Sequence, residues 1–269
     1  MNLLGKSLAV GAMALVATGA QARIAGVKLT GFENDPRGSE LFLSVYNPDA
    51  QISYAMDLGI RHADFLDNPQ AMNHSINTDA FSQFMAATSP GDRVIYNIAS
   101  AHNSFVDFDS VNYLGILMTS KNEIAVGPFG GFSESSTTLD QHIDQLNARS
   151  GELTGTNQQV GDKAVNLDSY SAPGQSGYFP TTWGSNIGNS FSGNLSSSAG
   201  ESTGFWWWGF DMDPNTFELT EKAVYLGDWN FSIENGSASL NFAPVPVPAA
   251  VWFFGTGLMG LIAAKRRKA

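Results

Sequence analysis

The dipeptide Asn235-Gly236 constrains this chain more than any other feature. A two-residue hairpin loop of type I′ needs φ > 0 at both central positions, which Asn and Gly tolerate best. Such a loop pairs Glu234 with Ser237 and fixes the register of everything beyond it. Ile233 then lies opposite Ala238, Phe231 opposite Leu240, and Trp229 opposite Phe242. These six apolar residues share one side, while Asn230, Ser232, Ser239 and Asn241 share the other. The pattern predicts an antiparallel hairpin with one buried face.

The rest of the body reads in the same way. Strands are expected over Ile24–Phe32, Glu40–Tyr46, the alternating Ile52, Tyr54, Met56 and Leu58, Val94–Ala99, Tyr113–Met118, Phe205–Phe210 and Lys222–Phe242. Two segments have helical spacing instead. Phe81, Phe84 and Met85 follow a cap at Asn77 or Thr78. Leu139, Ile143 and Leu146 follow a capping pair, Thr137 with Asp140, and Gly151 stands beyond their end. Residues 155–204 hold 10 Ser, 9 Gly and 5 Asn, and are read as short strands joined by long surface turns. The expected fold is mainly β, a β-sandwich or jelly-roll-like single domain over 23–244 with two short helices.

Charge and composition exclude several functions. The chain carries 14 Lys+Arg against 25 Asp+Glu, a formal −11, and its body has no basic block, so nucleic acid is not an expected partner. Cysteine is absent, which removes disulfides, thiolate metal sites and cysteine nucleophiles. No zinc-hydrolase, nucleophile-elbow, phosphate-loop or dinucleotide motif occurs; the nearest miss is Gly174-Gln175-Ser176-Gly177. The four histidines, His62, His74, His102 and His142, share no ligand spacing. No catalytic residue is therefore assigned, and the chain is not expected to be an enzyme.

Both ends carry address signals. Residues 1–22 combine Lys6, an apolar stretch from Leu8 to Val16, and small residues Ala20 and Ala22 at a signal-peptidase cleavage position. At the other end Pro244, Pro246 and Pro248 stop the preceding fold. Residues 249–264 follow without a charge, and Lys265, Arg266, Arg267 and Lys268 come next. A helix over 249–264 spans roughly 24 Å, enough to cross a membrane if Trp252 sits at one interface and the basic cluster snorkels at the other. The positive-inside rule puts that cluster in the cytoplasm and the body outside. Without Lys6 and Lys265–Lys268 the body keeps 9 basic residues against 25 acids, a formal −16.

Val245-Pro246-Val247-Pro248-Ala249, the apolar stretch with Gly255-Thr256-Gly257-Leu258, and the terminal Lys-Arg-Arg-Lys resemble the PEP-CTERM sorting signal in its VPxPA variant. The resemblance covers about the last 25 residues, 245–269, and Val247 stands where the namesake form has Glu. It implies processing by an exosortase in the inner membrane of an exopolysaccharide-making bacterium, cleavage near Pro248, and release of the body to the cell surface or matrix. It transfers no activity to the body. Three functions are compatible with such a sorted body: a non-catalytic structural or adhesive matrix component, a carbohydrate-binding module for the cell's own exopolysaccharide, and a secreted hydrolase.

Two clusters in the body carry possible chemistry. Phe205-Trp206-Trp207-Trp208 places Trp206 and Trp208 on one side of a strand and Trp207 on the other. Either the strand is buried on both sides, or one side offers indole as a platform for a sugar ring. Asp211, Asp213 and Asn215 place oxygens at alternate positions, a possible Ca2+ set or an ordinary solvated turn around Pro214. Asp107 and Asp109 with Asn112 form a weaker set.

Overall fold

The computed structural model describes residues 37–102, 110–124, 129–150, 168–181, 195–213 and 215–245, with side chains of the third helix described over 135–146. The chain is mainly β, as its alternation predicts. Ten strands are described: β1 (Glu40–Asn47), β2 (Ile52–Arg61), β3 (Met72–Ile76), β4 (Ile95–His102), β5 (Gly115–Ser120), β6 (Asp168–Ser171), β7 (Ser197–Ser198), β8 (Ser202–Met212), β9 (Leu219–Glu234) and β10 (Ser237–Pro244). Three helices interrupt them: α1 (His62–Asp67), α2 (Asp79–Ala86) and α3 (Phe129–Ser150). The strands form one curled antiparallel sheet in the order β3-β10-β9-β8-β5-β4-β1-β2-β6, with β7 also paired to β4.

The hairpin at Asn235-Gly236 forms in the expected register. Asn235 has φ 52° and Gly236 φ 80°, and Glu234 pairs with Ser237, Ile233 with Ala238, Phe231 with Leu240 and Trp229 with Phe242. Trp229, Phe231, Ala238, Leu240 and Phe242 are buried and Ile233 packs against them. β10 then continues into β3, an unforeseen strand, through Ala238–Ile76, Leu240–His74 and Phe242–Met72.

Because successive side chains alternate, each face of the sheet builds its own core. One face carries Leu43, Val45, Tyr54, Tyr96, Ile98, Leu117, Phe205, Trp229 and Phe231, and is filled by Phe65 of α1 and by Phe81 and Phe84 of α2. The curl lets one helix touch strands far apart in the sheet: the Phe81 ring lies 5.2 Å from Tyr54 on β2 and 6.4 Å from Phe231 on β9. The other face carries Phe42, Ala99, Ala101, Ile116, Met118, Trp208 and Phe210, covered by Leu139, Ile143 and Leu146 of α3.

The helices differ from expectation in extent. α2 starts where its cap was read: Thr78 Oγ1 accepts from the Phe81 amide at 3.2 Å. The same hydroxyl donates to Asp168 of β6, tying the helix start to the sheet edge. α3, however, runs for 22 residues rather than a short stretch, so Thr137 and Asp140 lie inside it and not at its start. Ser135, Ser136 and Thr138 are buried in this part of the helix. Small side chains let the helix lie close to the sheet, and that packing outweighs their weak helix propensity. The Tyr113 end of the fifth expected strand is instead a 3-10 turn over Ser110–Tyr113. The strand expected over 24–32, Gly151 and residues 249–264 lie outside the described residues.

Nothing lies within 4 Å of a Cβ added to Gly236, so Gly236→Ala tests backbone conformation alone. It should cost about 1–2 kcal/mol, the strain of an L-residue at positive φ. Urea unfolding checks this; a neutral substitution would mean that the turn is not held as described.

Candidate functional site

The tryptophan run lies in the middle of β8, between β5 and β9. Of the two readings of the run, burial on both sides holds for Trp207 and Trp208, while Trp206 is half-buried. Trp208 is 2% exposed, against Phe210 and the α3 core. Trp207 is 8% exposed. Its indole lies over Gly209, where an added Cβ would come within 2.3 Å of the ring, and Lys222 Nζ sits 4.5 Å above the ring centroid. Neither ring is placed to receive a sugar. The Trp206 ring lies 5.1 Å from that of Tyr225, its register partner on β9, tilted at 51° to it. Tyr225 is 40% exposed. Trp206 Nε1 is turned inward over Gly204, where an added Cβ would lie 2.7 Å away, so the pair presents apolar ring surface rather than an N–H.

Tyr225 faces this way because of a bulge in β9. The register shifts between Phe205 and Trp206, so that Phe205 pairs with Gly227 and Trp206 with Tyr225, leaving Leu226 without a register partner on β8. Gly227 has φ 147°, a conformation that suits glycine. In a regular strand residues 225 and 228 would face opposite sides; the extra residue puts them on one. Burial and a hydrogen bond to Asp228 hold the Tyr225 phenol up at about 12. Sequence alternation read through Lys222–Phe242 missed this, because a bulge leaves no fixed pattern.

At the end of β8 and in the turn after it, one carboxylate oxygen each of Asp211 and Asp213 is engaged. Asp211 is bonded to the Lys222 ammonium. Asp213 Oδ1 accepts from the amides of Asn215 at 2.7 Å and Thr216 at 3.2 Å, which lowers its pKa. A divalent cation at Asp211, Asp213 and Asn215 would have to displace Lys222 and compete with the turn. Among the described residues no three His, Cys, Asp or Glu side chains group as a metal site. Asp107 and Asp109 lie outside the described residues. Ser176 of the near-miss motif donates to the Gln145 carbonyl at 2.7 Å.

Three groupings invisible in the sequence appear. His62 Nδ1 lies 3.0 Å from Ser100 Oγ, with the His102 ring 6.1 Å away. All three are fully buried, and burial, then His102, holds His62 well below the imidazole range. The dyad has no access to solvent and is part of the core. Asp168, buried between Tyr54 and Thr78, is raised by burial. Asp57 is raised to about 7, by burial first and then by Glu40, whose own ion pair runs to Arg61 at 3.7 Å.

Of the sorting residues, Val245 is described: it is exposed, and its amide bonds to the Leu226 carbonyl at 3.0 Å. Pro246, Val247, Pro248, Ala249, Lys265, Arg266, Arg267, Lys268, Ala20 and Ala22 lie outside the described residues. No described helix is long and apolar enough to cross a membrane. Comparisons with known proteins return no matching family model, no matching curated protein and no matching solved structure.

Two outcomes test this geometry. Trp208→Ala should cost about 3–5 kcal/mol as a core truncation, and Tyr225→Ala no more than about 1 kcal/mol; equal costs in thermal unfolding would contradict the burial. Asp57 has its pKa raised from 3.8 to about 7, so the folded state holds its proton more tightly and this contribution to stability falls as pH rises through that window. Asp57→Asn should therefore gain on the wild type between about pH 4 and about pH 7. A difference in unfolding free energy that does not change with pH would refute it.

Proposed function

We propose that this chain is an exported protein sorted to the cell surface or matrix through an exosortase system, and that its body is a non-catalytic structural or adhesive component of an exopolysaccharide matrix. One observation carries the reading: the ordered end Val245-Pro246-Val247-Pro248-Ala249, a charge-free stretch over 249–264, then Lys265-Arg266-Arg267-Lys268, opposite an N-terminal segment of signal-peptide form. The prolines end the fold, the apolar stretch holds the chain in the membrane as a helix, and the cations fix its end in the cytoplasm. Signal peptidase and exosortase are the processing partners. β10 supports this division, since the sheet ends at Pro244, next to the motif. A sandwich-like or jelly-roll-like arrangement of the body, built on its curled antiparallel sheet, is proposed for the same role.

A second reading, a carbohydrate-binding module for the exopolysaccharide, is favoured by the Trp206–Tyr225 pair, the aromatic surface of the run left partly open to solvent. The hydrolase reading gains nothing from His62 and Ser100, which are sealed in the core.

Processing tests the sorting claim. Changing Pro246 and Pro248 to Ala should leave insertion intact and block cleavage, so that uncut precursor accumulates in the inner membrane. Replacing Lys265–Lys268 by neutral residues should disturb orientation or retention. Intact mass of the surface form decides: a mature protein still carrying Trp252 and the basic tail would refute cleavage near Pro248.

A further inference from the structure

The side of the β10–β9 hairpin away from Trp229 and Phe231 carries an ordered polar array. Asn73 on β3, Asn241 on β10, Asn230 on β9 and Ser202 on β8 are successive register partners across four strands. A second row, Ser75, Ser239 and Ser232, runs beside the first. Ser232 and Ser239 share a hydrogen bond at 2.9 Å, and Asn241 Nδ2 donates to Ser239 at 3.4 Å. Asn73, Ser75 and Ser202 are exposed, and Asn230, Ser232, Ser239 and Asn241 are partly so. With strands about 4.8 Å apart, the Asn row spans roughly 14 Å, enough for a short oligosaccharide.

The aromatic pair stands at the end of this array. Trp206 and Tyr225 lie on the same side of the sheet as the Asn row, with Asp228 between them and Asn230. This continuity depends on the β9 bulge: without Leu226 as an extra residue, Tyr225 would turn into the core and the ring surface would be cut off from the amides. The chain thus presents apolar rings and a row of carboxamides side by side. Each carboxamide can both donate and accept, which matches a hydroxyl that does the same.

From this juxtaposition we propose that the outer face of β3, β10, β9 and β8 binds a neutral, hydroxyl-rich polysaccharide, with Trp206 and Tyr225 stacking on a sugar ring and Asn73, Asn230 and Asn241 bonding to the hydroxyls of its neighbours. The charge pattern sets the ligand class. The array itself holds no Lys or Arg, the carboxylates nearest it along the chain are Asp228, Glu234 and Glu201, and the body is strongly acidic, so an anionic polysaccharide is repelled rather than gathered. Large apolar side chains are absent from the two polar rows, which makes a second copy of the chain a poor occupant. The inference deepens the carbohydrate-binding reading and is independent of the sorting claim.

Affinity electrophoresis of the full-length chain, kept soluble in a detergent that carries no sugar, tests it with dextran and a mixed-linkage β-glucan as neutral probes and alginate as the anionic one. At least one neutral probe should retard the wild type, with alginate without effect. Tyr225→Ala and the double variant Asn230→Ala/Asn241→Ala should each weaken that retardation by about tenfold or more, with the melting temperature nearly unchanged. Trp206→Ala should do the same, and the two surface variants keep the test valid if it unfolds. Loss of binding in Tyr225→Ala with full binding in the asparagine double variant overturns the extended site and leaves a simple aromatic platform. Retardation by neither neutral probe overturns both. Equal retardation by alginate, or self-association abolished by the asparagine variant, also overturns the proposal, since the face would then select charge or a second copy.

Discussion

Tyr96 holds the curl on which the two-sided architecture depends. Its hydroxyl shares its hydrogen between the carbonyls of Glu201 at 2.8 Å and Trp229 at 2.9 Å, and its ring lies 5.4 Å from Phe231. β4 and β9 are not neighbours in the sheet, so this side chain closes a gap that the ladder leaves open. Nearby, the Gly200 amide donates to the Phe231 carbonyl and the Ala199 amide to the Val94 carbonyl, drawing β7 into the same corner. Burial pushes the Tyr96 phenol up, which keeps it a donor at any ordinary pH. With this corner fixed, Phe81 can reach Tyr54 and Phe231 at once, and one face of the sheet becomes an enclosed core.

Enclosing one face decides what the other can do. Near β4 and β5 the opposite face is covered by α3, but along β8, β9, β10 and β3 it carries amides, hydroxyls and the Trp206–Tyr225 pair. The same hairpin therefore stabilises the protein through Trp229, Phe231, Leu240 and Phe242 and, on the proposed reading, recognises polysaccharide through Asn230 and Asn241. Substitutions in one set should leave the other working, because their side chains leave the backbone on opposite sides. On the proposed reading, an acidic protein sorted to the surface with such a face would hold matrix polymer without acting on it.

The sequence was most legible where structure is set locally. Asn235-Gly236 determines its register within a few residues, and Thr78 caps a helix that begins at the next residue, so both were read correctly. The polar side of the hairpin was visible in Asn230, Ser232, Ser239 and Asn241 for the same reason. What escaped depends on distant partners. β3 is a strand because β10 offers it an edge; its own five residues are ordinary. α3 begins well before Thr137 because packing on the sheet carries it through weak helix formers. Tyr225 faces outward because of a bulge at Leu226, and His62 meets Ser100 only after α1 has docked. The tryptophan run was half legible: its alternation was right, but only the fold could show that both sides of β8 are covered around Trp207 and Trp208.

The central claim is that the sheet face opposite Phe231, beyond the part that α3 covers, is a glycan surface along β3, β10, β9 and β8, and hydroxyl-radical footprinting of the aromatic side chains tests it most directly. In the free protein Tyr225 and Trp206 should be oxidised readily, while Trp207, Trp208 and Trp229 stay protected. Adding a neutral polysaccharide should then protect Tyr225 and Trp206 and leave the exposed Phe217, at the far end of the β8–β9 hairpin, as reactive as before. Oxidation of Trp207 or Trp208 as fast as that of Trp206, or polysaccharide protection at Phe217 rather than at Tyr225, would contradict the account.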